Sequence, residues 1–157
     1  MKLRRMLKYT KFNKPPSRRT SRPAGNFDWI KSPDIKKRVV KLASDLNLEW
    51  LKTSQIYCIR SSNSKTRARA RIWGLSRIWQ KTLSLKPAYI IEVISERFDN
   101  LGHKEQDEIL LHELVHIPRN FSGSLLPHIR RGKGSFYDKV ESLFNKYLEQ
   151  ESRRVEE

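Results

Sequence analysis

Apolar residues recur with the spacing of amphipathic helices in three stretches of the chain. The first covers residues 33–47, where Ser32 suits an N-cap and Pro33 suits the first helical position. The second covers residues 103–117, and the third covers residues 136–150. Each stretch gathers its apolar residues on one side, so we expect three helices with one apolar side each.

Alternation of apolar and polar residues predicts strands elsewhere in the chain. Residues 55–61 alternate in this way, and residues 88–94 are the strongest strand candidate because of their β-branched content. A short helical turn is predicted for residues 75–83. Residues 65–73 alternate basic with apolar side chains, which predicts a strand with one cationic face. The basic residues of that face are Arg67, Arg69 and Arg71.

The composition divides the chain into three segments. Residues 1–28 contain prolines, few aliphatic residues and no periodic apolar pattern, so we expect a basic, extended arm without a core of its own. Residues 29–150 carry all the predicted helices and strands and form one domain. Residues 151–157 are expected to be a C-terminal tail. Within the domain, Trp73 and Trp79 are interpreted as residues of the core or of its edge.

The charge of the chain is large and unevenly distributed. Its 157 residues include 33 Lys and Arg and 17 Asp and Glu, a formal net charge of +16. Residues 1–91 hold 23 of the basic and 4 of the acidic residues, whereas residues 92–157 hold 10 and 13. Residues 1–27 and 51–91 each contain nine basic residues and no acidic one. Such blocks are typical of surfaces that bind the phosphates of nucleic acids.

The arm combines basic side chains with aromatic rings. Tyr9, Phe12, Phe27 and Trp29 are interleaved with Lys and Arg, a combination suited to base stacking and cation–π contacts. We therefore expect the arm and the cationic strand to bind RNA, with DNA as the less favoured partner. The alternative is a disordered arm that only keeps the protein in solution. The predicted contact residues of the arm are Arg4, Arg5, Lys8, Lys11, Lys14, Arg18, Arg19 and Arg22.

Several classes of protein are excluded by simple features of the sequence. Cys58 is the single cysteine, so the chain can form neither an internal disulfide nor a cluster of thiolate metal ligands, which fits a reducing compartment. No apolar stretch is long enough to cross a bilayer, and the basic start of the chain lacks the apolar region of a secretory signal. We therefore expect a soluble, cytoplasmic protein with no membrane partner.

The sequence His112-Glu-Leu-Val-His116 lies on the second predicted helix and matches the HExxH pattern of zinc hydrolases. Residues four apart lie on one side of a helix, about 6 Å apart along its axis, so both imidazoles can bind one metal ion. Glu113 then lies beside the metal without being a ligand, and it can act as a general base toward a water molecule. The alternatives are a structural metal site and a pair of core histidines without a metal.

A catalytic zinc site needs a third protein ligand. His128, twelve residues after His116, is the first choice, and it follows a segment at residues 121–124 whose Gly and Ser we expect to make flexible. Glu141 and Asp138 on the last predicted helix are the alternatives. The cofactor that this donor set predicts is Zn²⁺.

These patterns together resemble a family of metallopeptidases found in archaea and phages. The resemblance rests on the strand at residues 88–94, on residues 112–118, and on residues 121–123 and 127–128. That family is similar in layout to small zincins such as the SprT-like proteins. The resemblance implies a zincin-like α+β fold, in which a small twisted sheet packs with an N-terminal helix, an active-site helix carrying HExxH, and a C-terminal helix.

The resemblance also implies roles for individual residues. His112, His116 and His128 would bind zinc, and Glu113 would be the general base in peptide hydrolysis. SprT-like proteins pair a peptidase domain with nucleic-acid binding, and the arm resembles the basic tails of ribosomal proteins. The leading hypothesis is a zinc-binding, metallopeptidase-like protein that docks on RNA, in particular on the ribosome. The alternatives are a non-catalytic RNA-binding protein that retains a metal site, and a DNA-associated SprT-like protease.

Overall fold

A computed structural model describes residues 26–129 and 134–156, and this part of the chain combines one four-stranded sheet with five α-helices. The mixed α+β class expected from the sequence is confirmed. The strands are β1 (Asp28–Lys31), β2 (Ile56–Ser62), β3 (Ala70–Gly74) and β4 (Tyr89–Ile94). The helices are α1 (Pro33–Asp45), α2 (Arg77–Thr82), α3 (Ser95–Phe98), α4 (His103–Val115) and α5 (Phe136–Glu156). One 3₁₀ turn, Thr53–Gln55, precedes β2.

The strands lie in the order β1-β2-β4-β3 across the sheet. β2 and β4 pair in parallel at the centre, while β1 pairs antiparallel with β2 and β3 pairs antiparallel with β4. Within the described residues, β1 and β3 are therefore the two edges of the sheet. The outer edge of β3 has backbone N–H and C=O groups that no strand of the described ranges uses.

One face of the sheet, the helix-covered face, carries the core. The pairing of Cys58 with Ile91 and of Ala70 with Val93 places these residues on the same face, where all four are buried. β2, β3 and β4 also contribute Ile56, Ile72 and Tyr89 to this face. α1 and α4 cover this face with buried apolar residues, namely Ile35, Val39, Leu42, Leu110, Leu111 and Leu114.

The opposite face, the open face, is not the one that α1 and α4 cover. Its aromatic residues are exposed, whereas Ser61, Glu92 and Ile94 on it are buried. Trp73 on this face is 48% exposed and Trp79 on α2 is 58% exposed, so the interpretation of both as core or core-edge residues is wrong. From the strand register, the open face consists of Trp29, Lys31, Tyr57, Ile59, Ser61, Arg71, Trp73, Ile90, Glu92 and Ile94.

The cationic strand predicted for residues 65–73 is shorter than expected, since β3 begins only at Ala70. The residues before Ala70 lie outside the strand. In this segment the Thr66 carbonyl accepts a hydrogen bond from the Arg97 side chain. The three arginines consequently do not form one strand face. Arg67 and Arg69 precede the strand, and Arg69 pairs with Glu105 on α4.

Only the C-terminal end of the arm lies within the described residues. Residues 26–28 are described, and β1 starts at Asp28, a strand that the sequence pattern did not predict. The remaining predicted nucleic-acid contacts lie outside the described residues. These contacts are Arg4, Arg5, Lys8, Lys11, Lys14, Arg18, Arg19 and Arg22. The aromatic residues Tyr9 and Phe12 also lie outside the described residues.

The three predicted long helices are present, and the last one is longer than expected. α5 continues to Glu156, beyond the predicted end at residue 150, and its last turns pack on α1. Arg154 of α5 pairs with Asp45 of α1 at 2.8 Å, which ties this end of α5 to the rest of the fold. None of the helices in the described ranges has a segment both long and apolar enough to span a bilayer.

Candidate metal centre

α4 positions the two histidines of the HExxH sequence. Leu110, Leu111 and Leu114 on this helix are buried in the core, which fixes the rotation of the helix about its axis. His112 is consequently half-buried on the side toward β3, and His116 follows the last helical residue. The centroids of their two rings are 5.2 Å apart.

The backbone of Leu126 holds His116 from two sides. The Leu126 carbonyl accepts a hydrogen bond from Nδ1 of His116 at 2.6 Å, and the Leu126 N–H donates to the His116 carbonyl at 2.7 Å. Because Nδ1 carries the proton, Nε2 of His116 keeps its lone pair. In protein metal sites, the ring nitrogen that does not bind the metal usually donates a hydrogen bond of this kind, which orients the histidine.

His128 completes a group of three imidazoles. Its Nε2 lies 2.9 Å from Nε2 of His112, and one ring nitrogen from each of His112, His116 and His128 lies within 4.8 Å of the other two. The other two candidate ligands are placed differently. Asp138 instead exchanges hydrogen bonds with Ser135 at the start of α5, which is a capping box. Glu141 is exposed on α5.

This donor set fits a zinc ion. Zinc binds imidazole nitrogens at about 2.0–2.1 Å in a tetrahedron, which places the nitrogens of two ligands roughly 3.3 Å apart. The 2.9 Å between the nitrogens of His112 and His128 is close to that separation, and the ligand nitrogen of His116 lies within 4.8 Å of both. Three protein ligands leave one coordination position for a water molecule or a substrate, as in catalytic zinc sites.

The segment that carries His128 is held firmly by β3 and β4, contrary to the flexibility expected for residues 121–124. Phe121 is buried against Tyr89, with ring centroids 4.9 Å apart. The Tyr89 hydroxyl accepts the Gly123 N–H at 2.8 Å and donates to the Ser124 carbonyl at 2.9 Å. A side chain at Gly74 would overlap with the Gly123 carbonyl oxygen, so the two backbones touch at that point.

Two aromatic residues at the start of α5 surround the histidines, and the sequence analysis did not assign them to the site. Phe136 is buried, and its ring centroid lies 4.3–4.9 Å from those of His112, His116 and His128. Tyr137 stacks on His128 at 5.8 Å with an angle of 15° between the rings. Phe136 offered no signal in the sequence beyond its position at a predicted helix start.

The burial of the site changes the protonation of its residues. Burial, and after it the charges of the other two histidines, lowers the pKa of His112 to about 4. Burial likewise lowers the pKa of His116, although its hydrogen bond to Leu126 opposes the change. Burial raises the pKa of Glu113 to about 7. At neutral pH the two histidines are uncharged and can bind a metal, while Glu113 can both accept and release a proton.

A groove of about 470 Å³ runs between β3 and the three histidines. Arg71 and Trp73 line it from the strand, and Leu125 and Pro127 line it from the segment before His128. Glu113 also faces the groove. The groove thus places an edge strand, a buried carboxyl group and three imidazoles around the same space.

Comparison with known proteins gives one match. The model of a family described as putative phage metallopeptidase matches residues 27–145, which is most of the chain and includes all three histidines and Glu113. Neither a curated protein nor a solved structure matches the chain.

Proposed function

Because the chain belongs to this phage metallopeptidase family, we propose that it hydrolyses peptide bonds with a zinc ion held by His112, His116 and His128. The observation that carries the proposal is the convergence of these three imidazoles beside the buried Glu113. When bound, zinc would supply a Lewis acid that polarises a peptide carbonyl and acidifies water. The remaining chemistry belongs to side chains and backbone of the chain itself.

Glu113 is the residue that moves the proton. It has no hydrogen-bond partner among the described side chains, and its burial raises its pKa to about 7. A carboxyl group with such a pKa can take a proton from the attacking water and later give it to the nitrogen of the leaving amine. Its position next to His112 on α4 points the carboxyl group into the groove that holds the histidines.

The outer edge of β3 is the binding site for the substrate backbone. An extended peptide in the groove can pair with this edge as an additional strand, using the backbone groups that β3 leaves unpaired. Leu125 and Leu126 then offer apolar contacts to its side chains from the opposite wall. This geometry favours an unfolded or extended segment as the substrate over a folded surface.

We interpret the fold as zincin-like on the same grounds. A helix, α1, and the helix with the HExxH sequence, α4, cover one face of a mixed sheet whose edge strand β3 borders the site. A closing helix, α5, packs on α4 and brings Phe136 to the histidines.

Metal analysis and peptide cleavage of the purified protein test this function together. We expect about one zinc ion per chain and hydrolysis of an unstructured protein such as casein. Glu113→Gln should keep the metal and lower the rate by about 10²–10⁴-fold. His112→Ala should lose both metal and activity, whereas the matched control His103→Ala, at the start of the same helix, should keep both. An unchanged rate in Glu113→Gln would remove this residue from the reaction.

We also propose that the basic arm, residues 1–28, docks the protein on RNA, with ribosomal RNA as the first candidate. Support comes from the nine basic and no acidic residues between positions 1 and 27. Each contact between a cation and a phosphate releases a counterion, so binding should weaken steeply with salt. The docking would bring the hydrolase to a location where nascent or unfolded chains are available.

Sedimentation with ribosomes tests the docking. Substitution of Arg4, Arg5, Arg18 and Arg19 by Gln should reduce co-sedimentation and flatten its salt dependence. The matched control replaces Lys139 and Lys146 on α5 by Gln. RNA binding without any hydrolysis would instead favour the non-catalytic RNA-binding protein, and a preference for duplex DNA would favour the DNA-associated protease.

A further inference from the structure

We infer that the open face of the sheet is a binding surface for single-stranded RNA, whose bases stack on its exposed aromatic rings. The inference rests on the RNA-docking part of the proposed function and requires no metal at the histidines. It assigns base contacts to the folded domain, whereas the arm provides contacts with phosphates.

The strand register places three aromatic rings on this one face. Tyr57 on β2 and Trp73 on β3 lie on either side of Ile90 on β4, so their backbones are roughly 10 Å apart. Trp29 on β1 lies beside Ser61, further along β2. The exposed fractions of the three aromatic residues are 59% for Trp29, 53% for Tyr57 and 48% for Trp73. Exposed rings of this size on a sheet need a partner that covers them.

Glu92, at the centre of the open face, holds two of the rings in place. It is fully buried, and it accepts hydrogen bonds from Nε1 of Trp73 at 2.8 Å and from Nε1 of Trp29 at 3.3 Å. Arg71 donates to the same carboxylate at 3.0 Å and lies over the Trp73 ring, 5.3 Å from its centroid. The polar edges of both indoles are thus satisfied within the protein. Arg71 covers one surface of the Trp73 ring, and both tryptophan side chains remain about half exposed.

The charge of the open face fits a polyanion. Glu92 is the only acidic residue among its ten members, and its charge is buried and paired with Arg71. Lys31 is exposed on the same face, and Phe27 extends the aromatic surface at its edge, 4.9 Å from Trp29 between ring centroids. Like charges on two such faces disfavour the pairing of a second copy of the chain here.

The rings select unpaired bases. Stacking on an aromatic side chain requires a base with a free surface, which a duplex does not offer. Aromatic rings on the face of a four-stranded sheet are also a recurrent way in which proteins bind two or three bases of single-stranded RNA. Both arguments favour single-stranded RNA over duplex nucleic acid as the occupant of this face.

Fluorescence anisotropy with the full-length protein and a fluorescein-labelled, mixed-sequence RNA of about 20 nucleotides tests the inference. Tyr57→Ala should weaken binding by about 5- to 100-fold, the usual effect of removing one stacking ring. Tyr57 makes none of the hydrogen bonds to Glu92, so this variant should fold normally. Tyr57→Phe should bind like the wild type, since it retains the ring. Trp79→Ala removes an equally exposed ring outside the open face and should change nothing.

Salt titrations separate this surface from the arm. Tyr57→Ala should lower affinity without changing the slope of log K against log [salt], because the ring contacts no phosphate. Substitution of Arg18 and Arg19 by Gln should change that slope. Wild-type affinity in Tyr57→Ala together with an effect of the arm substitutions would refute the inference and leave the docking by the arm intact.

Other results would overturn the assignment to RNA. Binding of single-stranded DNA or of duplex RNA as tightly as single-stranded RNA would do so. A variant Tyr57→Ala with normal RNA binding but a raised KM for peptide would show that the face binds polypeptide. A dimer in light scattering that becomes a monomer in Tyr57→Ala would show that a second copy covers it.

Discussion

The two faces of the central sheet use opposite kinds of residues. The helix-covered face has buried aliphatic residues such as Ile91 and Val93, and α1 and α4 pack on it. The open face has exposed aromatic rings and a carboxylate, Glu92, that is buried only because Trp29, Arg71 and Trp73 surround it. One face therefore provides stability and places α4, and the other is the surface that we propose to bind RNA.

If the open face binds RNA as proposed, this small domain carries two sites without a second core. α4 on the helix-covered face sets the positions of His112 and His116 through its buried leucines. The open face is not covered by α1 or α4 and orders its side chains by hydrogen bonds to one buried charge. Aliphatic packing involves no titratable group, whereas the contribution of a hydrogen-bonded carboxylate to stability depends on pH.

A matched pair of substitutions compares the two faces most directly. Ile91→Ala on the helix-covered face should lower the free energy of unfolding by about 2–5 kcal/mol, because it leaves a cavity in the core. Tyr57→Ala on the open face should lower it by less than about 1 kcal/mol. Chemical denaturation measures both values. Equal losses would show that the open face is part of the core.

Glu92→Gln tests the buried carboxylate and should have the next largest effect. Although burial opposes it, the hydrogen bonds from Arg71 and Trp73 lower the pKa of Glu92 below its usual value. The unfolded chain therefore binds the proton more tightly, and the carboxylate contributes stability above the usual glutamate pKa of about 4.3. We expect the variant to lose about 1–3 kcal/mol at pH 7.

The wild type and the Glu92→Gln variant also test how the contribution of Glu92 to stability depends on pH. The difference in unfolding free energy between the wild type and Glu92→Gln should shrink as the pH falls below about 4.3, because the unfolded chain then binds a proton that the native carboxylate takes up only at lower pH. A difference that is constant from pH 7 to pH 3 would show that Glu92 acts through its shape and not through its charge.

Tyr89→Phe should lower stability by less than Ile91→Ala or Glu92→Gln, and it concerns the helix-covered side. It removes the hydroxyl that binds Gly123 and Ser124, which should cost about 1–2 kcal/mol and loosen the segment before His128. Zinc affinity should fall about tenfold, in line with other residues that support metal ligands. Tyr57→Phe on the open face is the control. Competition with a fluorescent chelator measures the affinity, and an unchanged value would separate the Tyr89 contact from the metal centre.

Local patterns in the sequence predicted the elements of the helix-covered side. α1 and α5 each show a clear period, since one side of each is buried in the common core, whereas β4 was recognised from its β-branched residues. β1 was missed because all four of its residues are exposed and no alternation marks it. Trp73 was misassigned for a related reason. A tryptophan in a strand is equally compatible with both faces, and only the tertiary structure shows which face a helix covers.

The sequence predicted those residues of the metal centre that lie close together along the chain. His112 and His116 follow from the helical repeat, and His128 lies near them in the sequence. The support of these residues is not local. Tyr89 and Gly74 come from strands 34 or more residues earlier than Gly123, and their contact with it depends on the order of strands in the sheet. The spacing of residues along the chain does not reveal the order of strands. The contacts that hold the segment before His128 could therefore not be predicted.

Arg71 and Trp73 have a consequence for the regulation of the protein. Both side chains lie on the open face, and both also line the groove beside the histidines. A polynucleotide that contacts them on one side and a peptide that contacts them on the other would share the same wall. By thermodynamic reciprocity, whatever factor RNA imposes on peptide affinity, the peptide imposes on RNA affinity. The strand β3 would then couple the two ligands with no movement of a domain or subunit.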